Sequence, residues 1–544
     1  MATINRRGTR TATPNAGSPL RTTAQNTKTF EGAPAYSRDA KSDLFLLAVS
    51  NFYGEDTFYE KADDRSKRFT GLVRTVAADD PAWITSFIVW LRNKANIRTA
   101  AVVAAVEAAK VMLVADQPGS GVGPSRQLLR DFFAVARPDE PAEAFAYWLA
   151  TYGRKMPGGI RRGIGDGATA KYNEMAFIKW NGGDKAVRMA DVIEMCHPDP
   201  KSFSQSALFK YILDVRRDPK TPIPQSLPML EKRAAILALP DKAKRDLMLG
   251  DDSEQILREA GITWEQASSW GAMTGPVWEK LIDVMGYMAL MRNLRNLQEA
   301  GISREATKLV VERLESQTAV LNSRQLPFRF LAAYRAATGG QWATALETAM
   351  QYSTGNVPSL PGRTLVLVDT SGSMSQLGFS AKGTVTPVMA GALFGVALAS
   401  KGEQVDLFGF ADRTFQHQVR KGAGVLREAE RFCGRIGEVG HGTQTAAALK
   451  ATFNGHNRVI IVTDEQTFGP ERQAYQALYG DRSVGSQVPS DVPVYAFNIG
   501  GYAPAMLDTS TTRHQLGGLT DHTFAMIPLI ESGRQAKWPW EVGV

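Results

Sequence analysis

Thr364-Leu365-Val366-Leu367-Val368-Asp369-Thr370-Ser371-Gly372-Ser373-Met374-Ser375 is the stretch that decides the fold. Leu365 to Val368 is apolar, β-prone and free of polar interruption. That is how a strand covered on both faces of a parallel sheet reads. The polar cluster starts where this run stops, at the carboxyl end of the strand, where open α/β sheets place their ligands. Asp369, Ser371 and Ser373 stand two residues apart, and Gly372 lets the backbone turn tightly enough to bring them together. One carboxylate with neutral hydroxyls is the donor set of a hard divalent cation that keeps some water, Mg²⁺ above all.

Two later stretches extend the pattern. Val459-Ile460-Ile461-Val462-Thr463-Asp464 is a second apolar run ending on an acid, and Gly440-His441-Gly442-Thr443-Gln444-Thr445 is a glycine-rich loop between the two runs. Asp-x-Ser-x-Ser, a loop threonine and a strand-terminal aspartate together resemble the metal-ion-dependent adhesion site of von Willebrand factor A domains. The resemblance implies that Asp369, Ser371, Ser373, Thr443 and Asp464 surround one Mg²⁺ or another divalent cation. It also implies an open metal position that takes a partner's carboxylate and performs no turnover. The competing reading is a serine-rich, helix-capping loop with no metal. Enzymatic readings lack their parts. A haloacid-dehalogenase-type phosphatase needs a second Asp where Ser371 stands. No Gly-x-Ser-x-Gly elbow surrounds Ser371, and no Walker-type phosphate loop occurs in the chain.

With 544 residues the chain is too long for one core. Its 44% hydrophobic and 22% charged residues are those of a globular protein. Thr99 to Ala115 is the most apolar run, but Glu107 and Lys110 interrupt it, so it reads as a core helix and no membrane span is expected. The amino terminus has no apolar core after its arginines, and Cys196 and Cys433 lie too far apart in sequence to suggest a disulfide framework or a zinc site. A reducing, cytoplasmic setting fits these features. The net charge of +8 is unevenly placed: residues 355–544 balance 16 Lys and Arg against 16 Asp and Glu, whereas residues 1–30 carry five basic residues and no acid. Residues 1–30 are therefore expected to be a disordered basic arm, either a nucleic-acid contact or a solubilising tail.

From Tyr36 onward the pattern is helical. Asp80-Pro81 is an N-cap and first-turn proline, followed by Ile84, Phe87, Ile88 and Leu91 at helical spacing. Pro141 opens another such stripe, which ends at Gly153, and Trp278 to Met291 reads as one more. Gly119 to Pro124 reads as an interhelical loop rather than a phosphate cradle, and Cys196-His197-Pro198 as a helix end. Arg154, Lys155, Arg161, Arg162, Lys171 and Lys179 crowd one segment against only Asp166 and Glu174, with Tyr172, Phe177 and Trp180 interleaved. Such a segment reads two ways: cations for phosphates with rings for unpaired bases, or a solvated helix face over buried aromatics. Arg292 and Arg295 share a helical side and likewise suit either a nucleic-acid groove or a salt-bridged helix.

The stretches Met156–Asp166, Arg188–Pro198, Leu290–Leu297 and Leu326-Pro327-Phe328 look like the TROVE module of telomerase, Ro and vault proteins. That module followed directly by an A domain resembles the Ro RNA-binding proteins and their bacterial relatives. The resemblance implies an all-α, HEAT-like helical-repeat ring over residues 31–355, followed over 356–544 by a von Willebrand A domain with a doubly wound parallel sheet. It implies a protein of RNA quality control, not an enzyme, that takes single-stranded ends of noncoding RNA in a basic hole. A structured Y-like RNA would lie outside, and an exoribonuclease or another protein would bind through the A domain. By motif position, Arg161, Arg162, Lys171, Lys179, Arg188, Arg292 and Arg295 would touch RNA. The alternative reading is an adaptor that binds an acidic partner and no RNA.

Beyond Gly355, helix Pro387 to Ser400, strands Gln404–Phe410, Arg458–Thr463 and Val492–Ile499, and a loop over Tyr502–Gly518 are expected. Cys433 reads as core, His441 as a turn residue, and Trp538-Pro539-Trp540 as a clip from this domain to the ring.

Overall fold

The computed structural model describes residues 17–50, 53, 56–57, 59–116, 121–182, 185–337, 340–355, 357–375, 385–467, 484–508, 510, 512–518, 524, 526–532 and 537–541. The chain forms two compact units. One gathers Met1–Ser66, Leu326–Leu331 and Ser353–Val544, and the other Lys67–Gln325 and Ala332–Tyr352.

The first unit holds a two-stranded ribbon, β1 (Thr22–Lys28) with β2 (Pro34–Arg38), and a six-stranded sheet. The sheet strands are β3 (Arg363–Asp369), β4 (Gln404–Phe410), β5 (Thr414–Gln416), β6 (Arg458–Thr463), β7 (Val494–Asn498) and β8 (Arg513–Gly517), in the spatial order β5-β4-β3-β6-β7-β8. The central strand β3 pairs in parallel with both β4 and β6. Its Leu365 and Leu367 join Val459 and Ile461 under Ala448 and Leu449 of helix Thr445–Thr452. On the other face Val366 and Val368 lie beneath helix Pro387–Lys401. A Cβ on its Gly395 would stand 2.8 Å from Val368 Cγ2. Both faces are covered, as the uninterrupted apolar run requires.

Four expectations are corrected. The sheet is mixed, because β5 joins its edge antiparallel to β4. The Tyr502–Gly518 segment is not all loop: β8 extends the sheet parallel to β7, and all five of its residues are buried. Arg-His-Gln-Leu-Gly has no apolar alternation to betray it. Within the expected arm, residues 1–16 lie outside the described residues, but 17–30 are built in: Leu20 is 3% exposed and β1 pairs with β2. The boundary at 31 also falls, since everything up to Ser66 gathers with the sheet. Long-range bonds hold this segment, Ser18 Oγ donating to Gln515 O at 2.6 Å and Arg38 to Tyr502 O at 2.6 Å. Local periodicity carries no trace of such partners. Trp538 and Trp540 stack on each other and pack on Phe45 of helix Ala40–Val49.

Every named element of the second unit is a helix among the described residues. Asp80 caps Pro81–Asn93 by accepting from Trp83 N at 3.0 Å. Helix Thr99–Met112 is core, and its charged interruption is resolved locally. Buried Glu107 accepts from Arg74 Nε at 2.7 Å, from the Tyr147 hydroxyl at 2.6 Å and from the Tyr152 hydroxyl at 2.7 Å. Helix Pro124–Val135 packs on Gly158–Lys171, which packs in turn on Met189–Cys196. The single stripe expected over Trp278–Met291 is two helices, Gly275–Leu281 and Tyr287–Arg292, with Gly286 extended between them. His197 closes its helix in the left-handed conformation, as its position before Pro198 suggested.

Candidate functional site

The two strand ends carry Asp369 and Asp464 side by side. Ser371 N donates to Asp369 Oδ1 at 2.9 Å, Thr463 Oγ1 donates to Asp369 Oδ2 at 2.6 Å, and the Ser371 and Ser373 hydroxyls lie 3.2 Å apart. Gln466 N donates to Asp464 Oδ1 at 3.1 Å, while among the described residues Asp464 Oδ2 is buried without a partner. Thr443 is buried, and its carbonyl accepts from Thr467 Oγ1 at 3.0 Å. His441 acts through its backbone, accepting from Gly372 N and donating to Asp412. The glycine-rich loop is thereby tied to the turn after β3. Burial pushes the Asp369 carboxyl up to about 6. Burial and then the Asp369 charge push Asp464 up to about 7. Two adjacent buried carboxylates with an orphaned oxygen, ringed by hydroxyls, fit a hard divalent cation. Among the described residues no group of three or more His, Cys, Asp or Glu forms, so any cation here rests on hydroxyl donors as well as carboxylates.

Several neighbours of this cluster have no sequence signature. Glu465 sits at φ 66°, unusual for a residue with a Cβ, and its buried carboxylate pairs with Arg38 and accepts from Asn498 Nδ2 at 2.8 Å. Burial holds Glu465 above its ordinary value even beside Arg38. Tyr59 stacks on Phe30 at 5.5 Å and lies edge-on to Tyr502 at 5.4 Å. Burial, then the charges of Asp464 and Glu31, push the Tyr59 phenol well above its usual range, so it keeps its proton. A positive φ, a salt bridge from residue 38 and a tyrosine from residue 59 are invisible until the chain folds.

In the helical unit, Arg154, Lys155, Arg161, Arg162, Lys179, Arg188, Arg292 and Arg295 are exposed. Among the described residues no carboxylate lies within ion-pair distance of Arg154, Lys155, Arg161, Arg162, Lys179 or Arg292. Arg295 meets Glu299 at 3.6 Å on an open surface, a pair of little strength. Arg188 N donates to Asp191 at the start of Met189–Cys196. Lys171 leaves the patch: half-buried, it donates to Ala134 O at 2.9 Å, and burial lowers its pKa. The interleaved rings divide. Tyr172 is core, edge-on to Phe209, and Phe177 packs edge-on to Tyr211. Trp180 is half-buried, with Lys179 Nζ 5.2 Å and the Arg137 guanidinium 5.9 Å from its ring centre. Asn296 does not join Arg292 as a free donor, because its amide bonds Asn293 Oδ1 at 2.8 Å. At the start of Pro124–Val135, Asp116 Oδ1 and Oδ2 accept from Ser125 N and Oγ, so a protein carboxylate occupies that helix end.

A cleft of about 470 Å³ brings Lys179 and Arg292 together with Arg258, Trp264 and Tyr287. Arg258 was not anticipated. It pairs with Glu254 on its own helix, an arrangement that reads from sequence as an ordinary surface pair.

Residues 257–340 match the TROVE domain family. Telomerase protein component 1 of Rattus norvegicus and that of Mus musculus are each 46% identical over 74 residues, 13% of this chain and 3% of theirs. The chain therefore spans a small fraction of those relatives. The crystal structure of the Deinococcus radiodurans Ro (RSR) protein shares the fold with a TM-score of 0.56 at 17% identity, over 90% of this chain and 100% of that one. The domain match and the shared fold support the resemblance to the Ro proteins.

Proposed function

We propose that this chain, with a TROVE domain over residues 257–340 and the fold of a Ro protein, is an RNA-binding ribonucleoprotein component that holds noncoding RNA without turning it over. The observation that carries the reading is the run Arg154, Lys155, Arg161 and Arg162, exposed and, among the described residues, not neutralised by carboxylates. Arg161 and Arg162 on a packed helix, and Arg154 and Lys155 just before it, neutralise phosphates at little ordering cost. Half-buried Trp180, flanked by two cations, offers a face for an unpaired base, and the cleft lined by Lys179, Arg258 and Arg292 has room for one nucleotide. The favoured ligand is the single-stranded end of a misfolded or structured small RNA, with Y-like RNA as a second class.

Replacing Arg161 and Arg162 together by Gln tests this. Affinity for a single-stranded oligoribonucleotide is expected to fall, and the slope of log K against log salt to flatten by about 1.4, at ~0.7 per phosphate contact. Unchanged affinity and slope would favour an adaptor that binds no RNA.

Asp369, Ser371, Ser373, Thr443 and Asp464 would hold Mg²⁺ in the sheet unit. The orphaned Asp464 oxygen supports this assignment. The ion would neutralise the two aspartates and fix the loops that carry them, a structural service rather than a chemical step.

A further inference from the structure

The cleft of about 470 Å³ lies wholly within the helical unit and has the size of a small-molecule site. Except for Met175 and Lys179, its lining comes from the TROVE segment, residues 257–340. Lys179 arrives on helix Glu174–Trp180, which Glu174 ties down by accepting from Leu230 N at 2.9 Å. Gly261 makes room for that helix: its φ is 58°, and a Cβ there would stand 2.8 Å from Ile178 Cδ1. Several lining groups are already engaged. The Tyr287 hydroxyl donates to Leu314 O at 2.9 Å, Ser323 Oγ to Val320 O at 2.6 Å and Gln325 Nε2 to Ser323 O at 2.9 Å. Arg258 is shared with Glu254 and reaches Asp283 O at 3.4 Å. Lys179 and Arg292 have, among the described residues, no carboxylate within ion-pair distance, and exposed Glu265 is the one acid in the lining. Half-buried Trp264, tilted on Trp278 at 6.1 Å, and Met288, 40% exposed, add apolar surface to the same cleft.

We propose that this cleft receives a nucleotide by its phosphomonoester, presented either by a free nucleoside monophosphate or by the phosphorylated end of an RNA strand. The inference rests on the RNA-binding reading above and names the chemistry of the group that is held. Charge decides between the two kinds of phosphate. An internal phosphodiester brings one negative charge, whereas a phosphomonoester brings about 1.5–2 at neutral pH, which is what Lys179 and Arg292 together neutralise. The Arg292 guanidinium takes two phosphate oxygens in its planar fork, and Lys179 acts as a point charge. The base lies against Trp264 and Met288, surfaces that accept any base because each offers a π-face.

Two measurements on the full-length chain separate the outcomes. Fluorescence anisotropy compares single-stranded oligoribonucleotides of one sequence that end in hydroxyls, in a 5′-phosphate or in a 3′-phosphate. Titration calorimetry compares adenosine monophosphate with adenosine. A phosphorylated end is expected to bind about tenfold tighter than the hydroxyl-ended strand, the worth of one more charge-assisted hydrogen bond. Lys179→Gln and Arg292→Gln, both at exposed positions, should each erase that advantage and lower the affinity of the hydroxyl-ended strand by a smaller factor, since Arg161 and Arg162 still hold it. A preference among the strands assigns the phosphate to an RNA end. Binding of adenosine monophosphate but not adenosine, with no preference among the strands, assigns it to a free nucleotide, and either result upholds the proposal. Equal binding of the three strands with no uptake of adenosine monophosphate, or an end preference that survives in both variants, overturns the proposal and leaves RNA binding by the basic helix standing. No binding of any strand overturns the RNA-binding reading itself, and the proposal with it.

Discussion

At the scale of the residue, the molecule turns on a few buried ionisable groups whose partners are either present or missing. Among the described residues Asp464 lacks one for Oδ2, and Asp369 beside it is buried too. Two like charges in that setting destabilise the fold until a cation joins them. In chelator, Asp464→Asn is therefore expected to melt above the wild type. In excess Mg²⁺ the order should reverse, because the wild type alone gains about 2.7 kcal/mol at a hundredfold excess over Kd. Differential scanning calorimetry under both conditions reads this crossover. His514 gives a pH dependence of known sign. It stacks on Tyr495 at 4.9 Å, and burial, then the Arg513 charge, lowers its pKa to about 4. Folded His514 stays neutral while the unfolded chain takes up a proton near pH 6.5. Stability from this group is thus complete above pH 6.5 and is lost as pH falls toward 4. The loss is on the order of 3 kcal/mol, at about 1.4 kcal/mol per unit. His417 and His456, also lowered by burial, act in the same direction. Urea denaturation between pH 7 and 4 should show a smaller acid loss in His514→Phe, which keeps the stack.

At the scale of the element, the basic helix Gly158–Lys171 works because glycines stand among the isoleucines of its buried face. A Cβ on Gly163 would lie 2.6 Å from Leu129 Cδ1, and one on Gly167 2.5 Å from the Phe133 ring. Helix Pro124–Val135 sits that close, and Arg161 and Arg162 are left on the exposed side. Gly167→Leu is expected to cost about 1–3 kcal/mol by overpacking. It should weaken RNA binding indirectly, through displacement of the helix, and both effects should appear together in thermal melts and binding curves. The same helix shows how far periodicity reaches. Its basic residues were legible as a patch, but Lys171 turns to a carbonyl and Tyr172 to the core. Sequence spacing ranks residues by face only while the helix lasts, and both lie at its end.

At the scale of the whole molecule, the division into units is where local reading failed. The α/β unit recruits residues from the far amino end: Arg38 neutralises Glu465, Arg65 donates to Gly500 O at 2.7 Å, and Phe45 packs on Trp538. A fragment beginning at Gly355, the boundary that composition suggests, should leave Glu465 buried without its cation. Such a break costs about 3–5 kcal/mol. The fragment is expected to lack a cooperative near-ultraviolet transition, which adding residues 17–66 as a separate chain should restore. The sequence alone determined the covered central strand, the helices beside it, the Asp-x-Ser-x-Ser cluster at its end and the basic segment after Gly153. Each of these is written in contiguous residues whose spacing obeys a strand or helix period. Only the tertiary structure decided that β8 joins the sheet, which arginines stay unpaired among the described residues, and that Phe30 N bonds Gln466, two residues past Asp464. The first rests on pairings such as Val494 with Arg513 in a segment without strand alternation, and the last on a contact between residues hundreds of positions apart; neither leaves a period in the chain.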